Sequence, residues 1–127
     1  MPARKILVVD DEEDLLELMS KSLMLEGYEV TALTTAGDAM DKARMDVPDL
    51  ILMDIILPDM EGSEAVRLLM DDPLTRNIPV IFLSGIVTRA NRDVAAGDVQ
   101  VGGKAFKALS KPFSSQELLT EVRKMIG

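Results

Sequence analysis

Five side chains in this sequence have the types that phosphoryl chemistry uses: Asp10, Asp11, Asp54, Ser84 and Lys111. Each follows or closes an apolar run. Asp54 ends Leu50-Ile51-Leu52-Met53, and Asp10-Asp11 follows Lys5-Ile6-Leu7-Val8-Val9. Ser84 follows Pro79 to Leu83, and Lys111 follows Phe106 to Ser110. A carboxylate can serve as the nucleophile for a phosphoryl group, and a hydroxyl and an ammonium can hold the transferred oxygens. Asp54 is expected to be that acceptor. Taken singly, each residue has an ordinary explanation. Acids after a strand enrich a helix start, Ser before Gly suits a turn, and Lys before Pro suits a surface. Taken together they mark the ends of four of five expected strands, which chance placement explains poorly.

Those runs have the length of strands buried on both faces. Segments with helical spacing separate them. Asp14 to about Glu26 carries Leu15, Leu16, Met19 and Leu23 on one face and stops at Gly27. Glu29 to Leu33 is a more polar strand, suited to an edge. Thr35 to about Met45 is a second helix, with Thr35 and Asp38 as its capping pair. Ser63 to about Asp71 is a third, and Ser114-Ser115-Gln116-Glu117 is a capping box for a last helix. Between Ile86 and Ala105 the pattern is weakest. Arg89 to Ala96 suits a short helix, Gly97, Gly102 and Gly103 interrupt the stretch after it, and Val99-Gln100-Val101 suits a small extra strand.

Strands alternating with helices five times imply an α/β fold, a doubly wound parallel sheet with helices on both faces. In such a five-stranded sheet the first and third strands are neighbours at a switch point, where ligands bind. Asp10, Asp11 and Asp54 then share one pocket. Three carboxylates so placed repel one another unless a cation sits among them. Hard oxygen ligands with room for water favour Mg²⁺, and the main-chain carbonyl of Ile56 can complete the site.

Composition narrows the classes. The 127 residues suit one domain, 1–127, and 47% hydrophobic residues suffice for a core. A net charge of -8 disfavours nucleic acid and anionic membrane as partners. No run approaches the roughly 18 apolar residues of a membrane span. Met1 to Lys5 leads straight into a strand without the apolar region of a signal peptide, so a cytoplasmic location is expected. With neither cysteine nor histidine, the chain can form no disulfide, no Ser-His or Cys-His pair and no phosphohistidine of its own.

Val8-Val9-Asp10-Asp11-Glu12, Met53-Asp54 with Pro58 and Gly62, Ser84-Gly85 and Lys111-Pro112-Phe113 resemble the receiver domain of bacterial two-component response regulators. The resemblance covers essentially the whole chain. It implies the flavodoxin-like fold with strand order 2-1-3-4-5 and a signalling switch rather than an enzyme with turnover. It implies that Asp54 accepts a phosphoryl group from a sensor histidine kinase or a histidine phosphotransfer protein, with Mg²⁺, and then signals to a downstream protein through altered docking surfaces. Asp10 and Asp11 match the acidic pair, with Asp11 the direct metal ligand. Ser84 matches the switch hydroxyl. Lys111 matches the phosphate-contacting lysine, whose bond to the following proline is cis in that family.

The sequence also departs from the family pattern. Ala108 stands where an aromatic switch residue is usual, with Phe106 two residues earlier. Loop rearrangement after Ser84 and around Ile86 is therefore expected in place of a ring flip. The resemblance places Ile56 and Ile86 beside the path of an attacking water, and apolar side chains there imply a long-lived phosphorylated state. Gly127 closes the sequence without an output domain, which fits either a protein that works by docking or an excised receiver. Leu18, Met24 and Leu25 make the first helix apolar nearly all round, which suits either a docking face or burial against a neighbour. Gly97 to Lys104 nearly matches a phosphate-binding P-loop, but the lysine is one place late and Ala105 replaces the hydroxyl residue. Two other classes stay open. One is a Mg²⁺-dependent aspartyl phosphatase, for which an Asp-x-Asp motif and a cap are lacking. The other is a scaffold that never takes phosphate.

Overall fold

The computed structural model describes residues 2–85 and 98–127. Six strands form one sheet: β1 (Lys5–Val9), β2 (Glu29–Leu33), β3 (Leu50–Asp54), β4 (Val80–Ser84), β5 (Asp98–Val101) and β6 (Lys104–Ser110). Their order is β2-β1-β3-β4-β6-β5. The first four pairings along it are parallel, and β5 runs antiparallel to β6. Four described helices flank the sheet: α1 (Glu13–Leu25), α2 (Ala36–Asp46), α3 (Gly62–Met70) and α4 (Ser115–Ile126).

The strand runs look uniformly apolar because both faces are covered, and the period of two divides them cleanly. Leu7, Val9, Ile51, Met53, Val80 and Phe82 point to one side, where Ala36, Ala39 and Ala43 of α2 and Ala65, Val66 and Leu69 of α3 meet them. Ile6, Val8, Leu50, Leu52, Ile81 and Leu83 point to the other, against Leu16, Met19 and Leu23 of α1 and Leu118, Leu119 and Val122 of α4. All five residues of β3 are buried, as the middle of a two-layered cover requires. Each fully buried Leu or Ile contributes about 1.5–3 kcal/mol relative to exposure. A polar substitution anywhere in Leu50–Met53 would therefore undermine the strand that carries Asp54.

Helix ends follow local chemistry. Thr35 accepts from the Asp38 backbone N–H at 3.3 Å. Ser114 and Glu117 form the reciprocal capping box, with both bonds at 3.0 Å. Gly27, at φ +95°, supplies the left-handed turn after α1 that a side chain would disfavour.

The doubly wound architecture agrees with the sequence; the strand count differs. The expected five parallel strands are joined by a sixth, antiparallel at the edge. Gly102 and Gly103 sit at φ +56° and +81°, the paired left-handed conformations of a tight two-residue hairpin. They turn the chain rather than simply ending an element. Val99 and Val101 alternate inward and are buried, so the extra strand covers apolar surface beside α3. The short helix expected over Arg89 to Ala96, and Ile86, lie outside the described residues.

Candidate functional site

Parallel register brings the site together. Val9 pairs with Met53, so Asp10 and Asp54 emerge side by side at the carboxyl ends of β1 and β3. Asp54 pairs with Leu83 and Ser84 with Ser110, which sets Ser84 and Lys111 at the same end of β4 and β6. Lys111 is tied there by its own N–H, which donates to the Ser84 carbonyl at 2.7 Å. Its bond to Pro112 is cis.

Asp10 is fully buried, Asp54 is 5% exposed, and Asp11 is open to solvent. Each offers an oxygen within 4.8 Å of the others'. The Lys111 ammonium reaches into this group. It lies 2.7 Å from Asp10 Oδ2, 3.0 Å from Glu12 Oε1 and 3.3 Å from Asp54 Oδ2. Asp10 Oδ1 accepts from the Glu12 N–H at 2.9 Å. Asp10 Oδ2 meets the Lys111 ammonium and has no other donor among the described residues. Asp54 Oδ1 takes a long bond, 3.4 Å, from the Ile56 N–H.

The electrostatics follow from that crowding. Burial disfavours the Asp54 carboxylate, and the Asp10 charge adds to it. Lys111 and the Ile56 N–H offset only part, and the Asp54 pKa is pushed up to about 6. For Lys111, burial opposes the charged form. Hydrogen bonding and attraction to Asp10 and Glu12, then the Asp54 charge, outweigh it, so the pKa rises and the ammonium stays charged. A buried carboxylate oxygen met by the Lys111 ammonium alone, beside two further acids, fits a hard divalent cation such as Mg²⁺.

The loop after β3 is closed on itself. Ile56 and Glu61 form an isolated antiparallel bridge, and the Gly62 N–H donates to the Ile55 carbonyl at 2.7 Å. Ile56 is 53% exposed at the mouth of the site. Two participants are not evident in the sequence. Glu12 is visible there only as part of an acidic run, yet it holds Lys111 across 99 residues. Asp59 lies in the same loop as Ile56, and its carboxylate accepts from the backbone N–H groups of Ala36 and Gly37 at 2.9 and 2.8 Å. Those bonds hold its carboxyl below the ordinary value. The pairing depends on the loop meeting α2, which no local signal announces.

Elsewhere among the described residues the chemistry is sparse. A hollow of about 520 Å³ is lined by residues such as Val47, Leu74 and Met125 and lacks the acid cluster. Gly97 to Lys104 forms no phosphate cradle where it is described. Gly102-Gly103 is the hairpin turn, and Lys104 Nζ lies 5.2 Å from the Phe106 ring centre. Phe106 is buried edge-on against Phe82 at 5.8 Å, while Ala108 packs partly buried beside the same core. Leu18, Met24 and Leu25 of α1 are exposed.

Residues 6–123 match the response regulator receiver domain family. The chain belongs to that family. As a receiver it is 36% identical over 121 residues to the response regulator PleD of Caulobacter vibrioides, covering 95% of this chain and 26% of PleD. The polar-differentiation response regulator DivK of Brucella ovis is 32% identical over 124 residues, covering 98% of this chain and 97% of DivK. The receiver thus spans about a quarter of the length of PleD and nearly all of DivK. Among solved structures, a CheY-like receiver domain from Methanospirillum hungatei superposes with a TM-score of 0.80 at 30% identity, over 96% of this chain and 92% of that one. The chemotaxis protein CheY4 of Vibrio cholerae gives 0.83 at 25% identity, over 98% and 99%. The flavodoxin-like fold is therefore shared. Receiver domains serve phosphorylation-dependent two-component signalling, take their phosphoryl group from histidine kinases or phosphotransfer proteins and bind Mg²⁺ at an acidic pocket. No helix among the described residues is long and apolar enough to cross a membrane.

Proposed function

We propose that Asp54 is the phosphoacceptor of this receiver and that Asp10, Asp11, Ser84, Lys111 and the Ile56 carbonyl serve the transfer. The observation that carries the reading is Lys111, whose ammonium lies 3.3 Å from Asp54 and 2.7 Å from Asp10. A carboxylate oxygen of Asp54 forms a bond to phosphorus as the phosphorus–nitrogen bond of a donor phosphohistidine breaks. The imidazole nitrogen leaves with the electron pair and takes a proton. Burial keeps the nucleophile poorly solvated, and the charge of Lys111 offsets the negative charge gathering on the phosphoryl oxygens. Ser84 donates its hydroxyl to one of those oxygens once the group is on Asp54. Asp10, Asp11, Asp54 and the Ile56 carbonyl would hold a Mg²⁺ ion, which supplies charge neutralisation between the acids and the phosphoryl oxygens. The phosphorylated domain then presents altered docking surfaces to a downstream protein, and slow hydrolysis or return transfer resets it. The cytoplasm, where sensor kinases display their phosphohistidine, is the matching location.

Incubation with Mg²⁺ and a small phosphodonor, read by intact mass, tests this. A single persisting phosphoryl adduct that Asp54→Asn loses is expected. Continuous phosphate release without an adduct would replace the reading with a phosphatase, and no reaction at all would leave a scaffold.

A further inference from the structure

We infer that Asp59 is a positioning residue for the divalent-cation site: by pinning the β3–α3 loop to the first turn of α2, it sets the place of the Ile56 carbonyl. The inference rests on the metal reading above. The loop from Ile55 to Glu61 is held to β4 where the Ile55 N–H donates to the Leu83 carbonyl at 3.1 Å, and it has three further ties. Two lie at its base, where Gly62 N–H meets the Ile55 carbonyl and Ile56 bridges Glu61. The third is remote. Asp59 Oδ1 and Oδ2 accept from Ala36 and Gly37 of α2, across more than twenty residues of sequence.

Helix α2 already has its own cap in Thr35, which satisfies the Asp38 N–H. Asp59 therefore does more than complete a helix end. It joins that end to the segment carrying Ile56, whose N–H faces Asp54. A main-chain ligand has no side-chain rotamer to adjust. Its oxygen goes where the loop goes, so the loop's anchor governs how well it meets a cation. Positive partial charge at the α2 start favours the Asp59 carboxylate and keeps the anchor engaged. The tie also runs in reverse, because cation binding that orders the loop strengthens the hold on Ala36 and Gly37.

Thr35 provides the control. Thr35→Ala weakens the same helix end but leaves the loop anchored, whereas Asp59→Ala frees the loop. Mg²⁺ affinity measured by calorimetry on the unphosphorylated protein should fall about tenfold in Asp59→Ala, in the range seen for groups behind metal ligands. Asp59→Asn, which keeps one acceptor oxygen, should fall between, and Thr35→Ala should match wild type. Saturating Mg²⁺ should slow amide exchange at Ala36 and Gly37 in wild type but not in Asp59→Ala. Equal losses in Asp59→Ala and Thr35→Ala would reduce Asp59 to a helix cap and overturn the inference. So would an unchanged affinity in Asp59→Ala alongside lost binding in Asp11→Ala, with the metal site left standing. Failure of wild type to bind Mg²⁺ would remove the metal reading and this inference together.

Discussion

Gly62 packs directly against the main chain of Asp54. A Cβ at this position would overlap the Asp54 carbonyl oxygen and come within 2.9 Å of Met53 Cγ. The first residue of α3 thus passes so close to the end of β3 that only hydrogen fits. The requirement is one of space, since Gly62 is an ordinary helical residue with its N–H bonded to Ile55.

Gly62→Ala should therefore act at the site as well as on stability. Overpacking of a close backbone contact costs about 1–3 kcal/mol. Relief requires α3 or the end of β3 to shift. A lower urea midpoint together with a weaker Mg²⁺ response is expected. A variant as stable as wild type would mean that the contact yields easily.

Charge at Asp54 makes stability depend on pH in a defined direction. Its carboxyl is raised from 3.8 to about 6 in the folded protein, so folding takes up a proton between those values. The stabilising contribution of the protonated form is complete below 3.8 and is lost as pH rises through 6. Asp54→Asn should then be more stable than metal-free wild type above about pH 6, by the order of 2–3 kcal/mol at about 1.4 kcal/mol per pKa unit. The difference should shrink toward zero as pH falls to about 4. Chemical denaturation in chelator across that range checks it, and a gap independent of pH would assign the effect to packing.

The acid cluster should make Mg²⁺ a stabilising ligand. Asp10 and Asp54 are buried with Lys111 as their only close cation among the described residues, and Asp11 opens the group to solvent. Added Mg²⁺ should raise the melting temperature through binding to the folded state alone. Asp11→Ala should abolish the rise with little change in metal-free melting, because Asp11 is exposed. A full Mg²⁺ response in Asp11→Ala would exclude Asp11 as a ligand.

With Asp54 as the proposed acceptor, the lifetime of the phosphorylated state should depend on what stands beside it. Ile56 lies two residues on, half exposed, and cannot orient a water by hydrogen bonding. Ile56→Asn should shorten the half-life of the adduct after the donor is removed, while a larger apolar residue should not. Decay in Ile56→Asn as slow as in wild type would end the shielding argument.

The doubly wound α/β class, the capped helix starts and the strand ends at which Asp10, Asp54, Ser84 and Lys111 stand were all legible in the sequence. They arise from short-range regularities: apolar runs of strand length, helical spacing, the Ser114–Glu117 box and a glycine after α1. Composition also removed thiol and histidine chemistry without any structure. Contacts between distant segments were not legible, because no local pattern encodes them. That Lys111 holds Glu12 as well as Asp10 and Asp54, that Asp59 anchors its loop on α2, and that Gly62 fits only without a side chain are all consequences of packing. So is the sixth strand. Val99-Gln100-Val101 suggests a small strand in the sequence, but Gly102-Gly103 reads equally well as a break, so the sequence leaves its pairing open. Pairing with β6 and burial beside α3 make that segment a strand, because four residues gain enough hydrogen bonds and apolar burial only when a sheet edge is there to receive them.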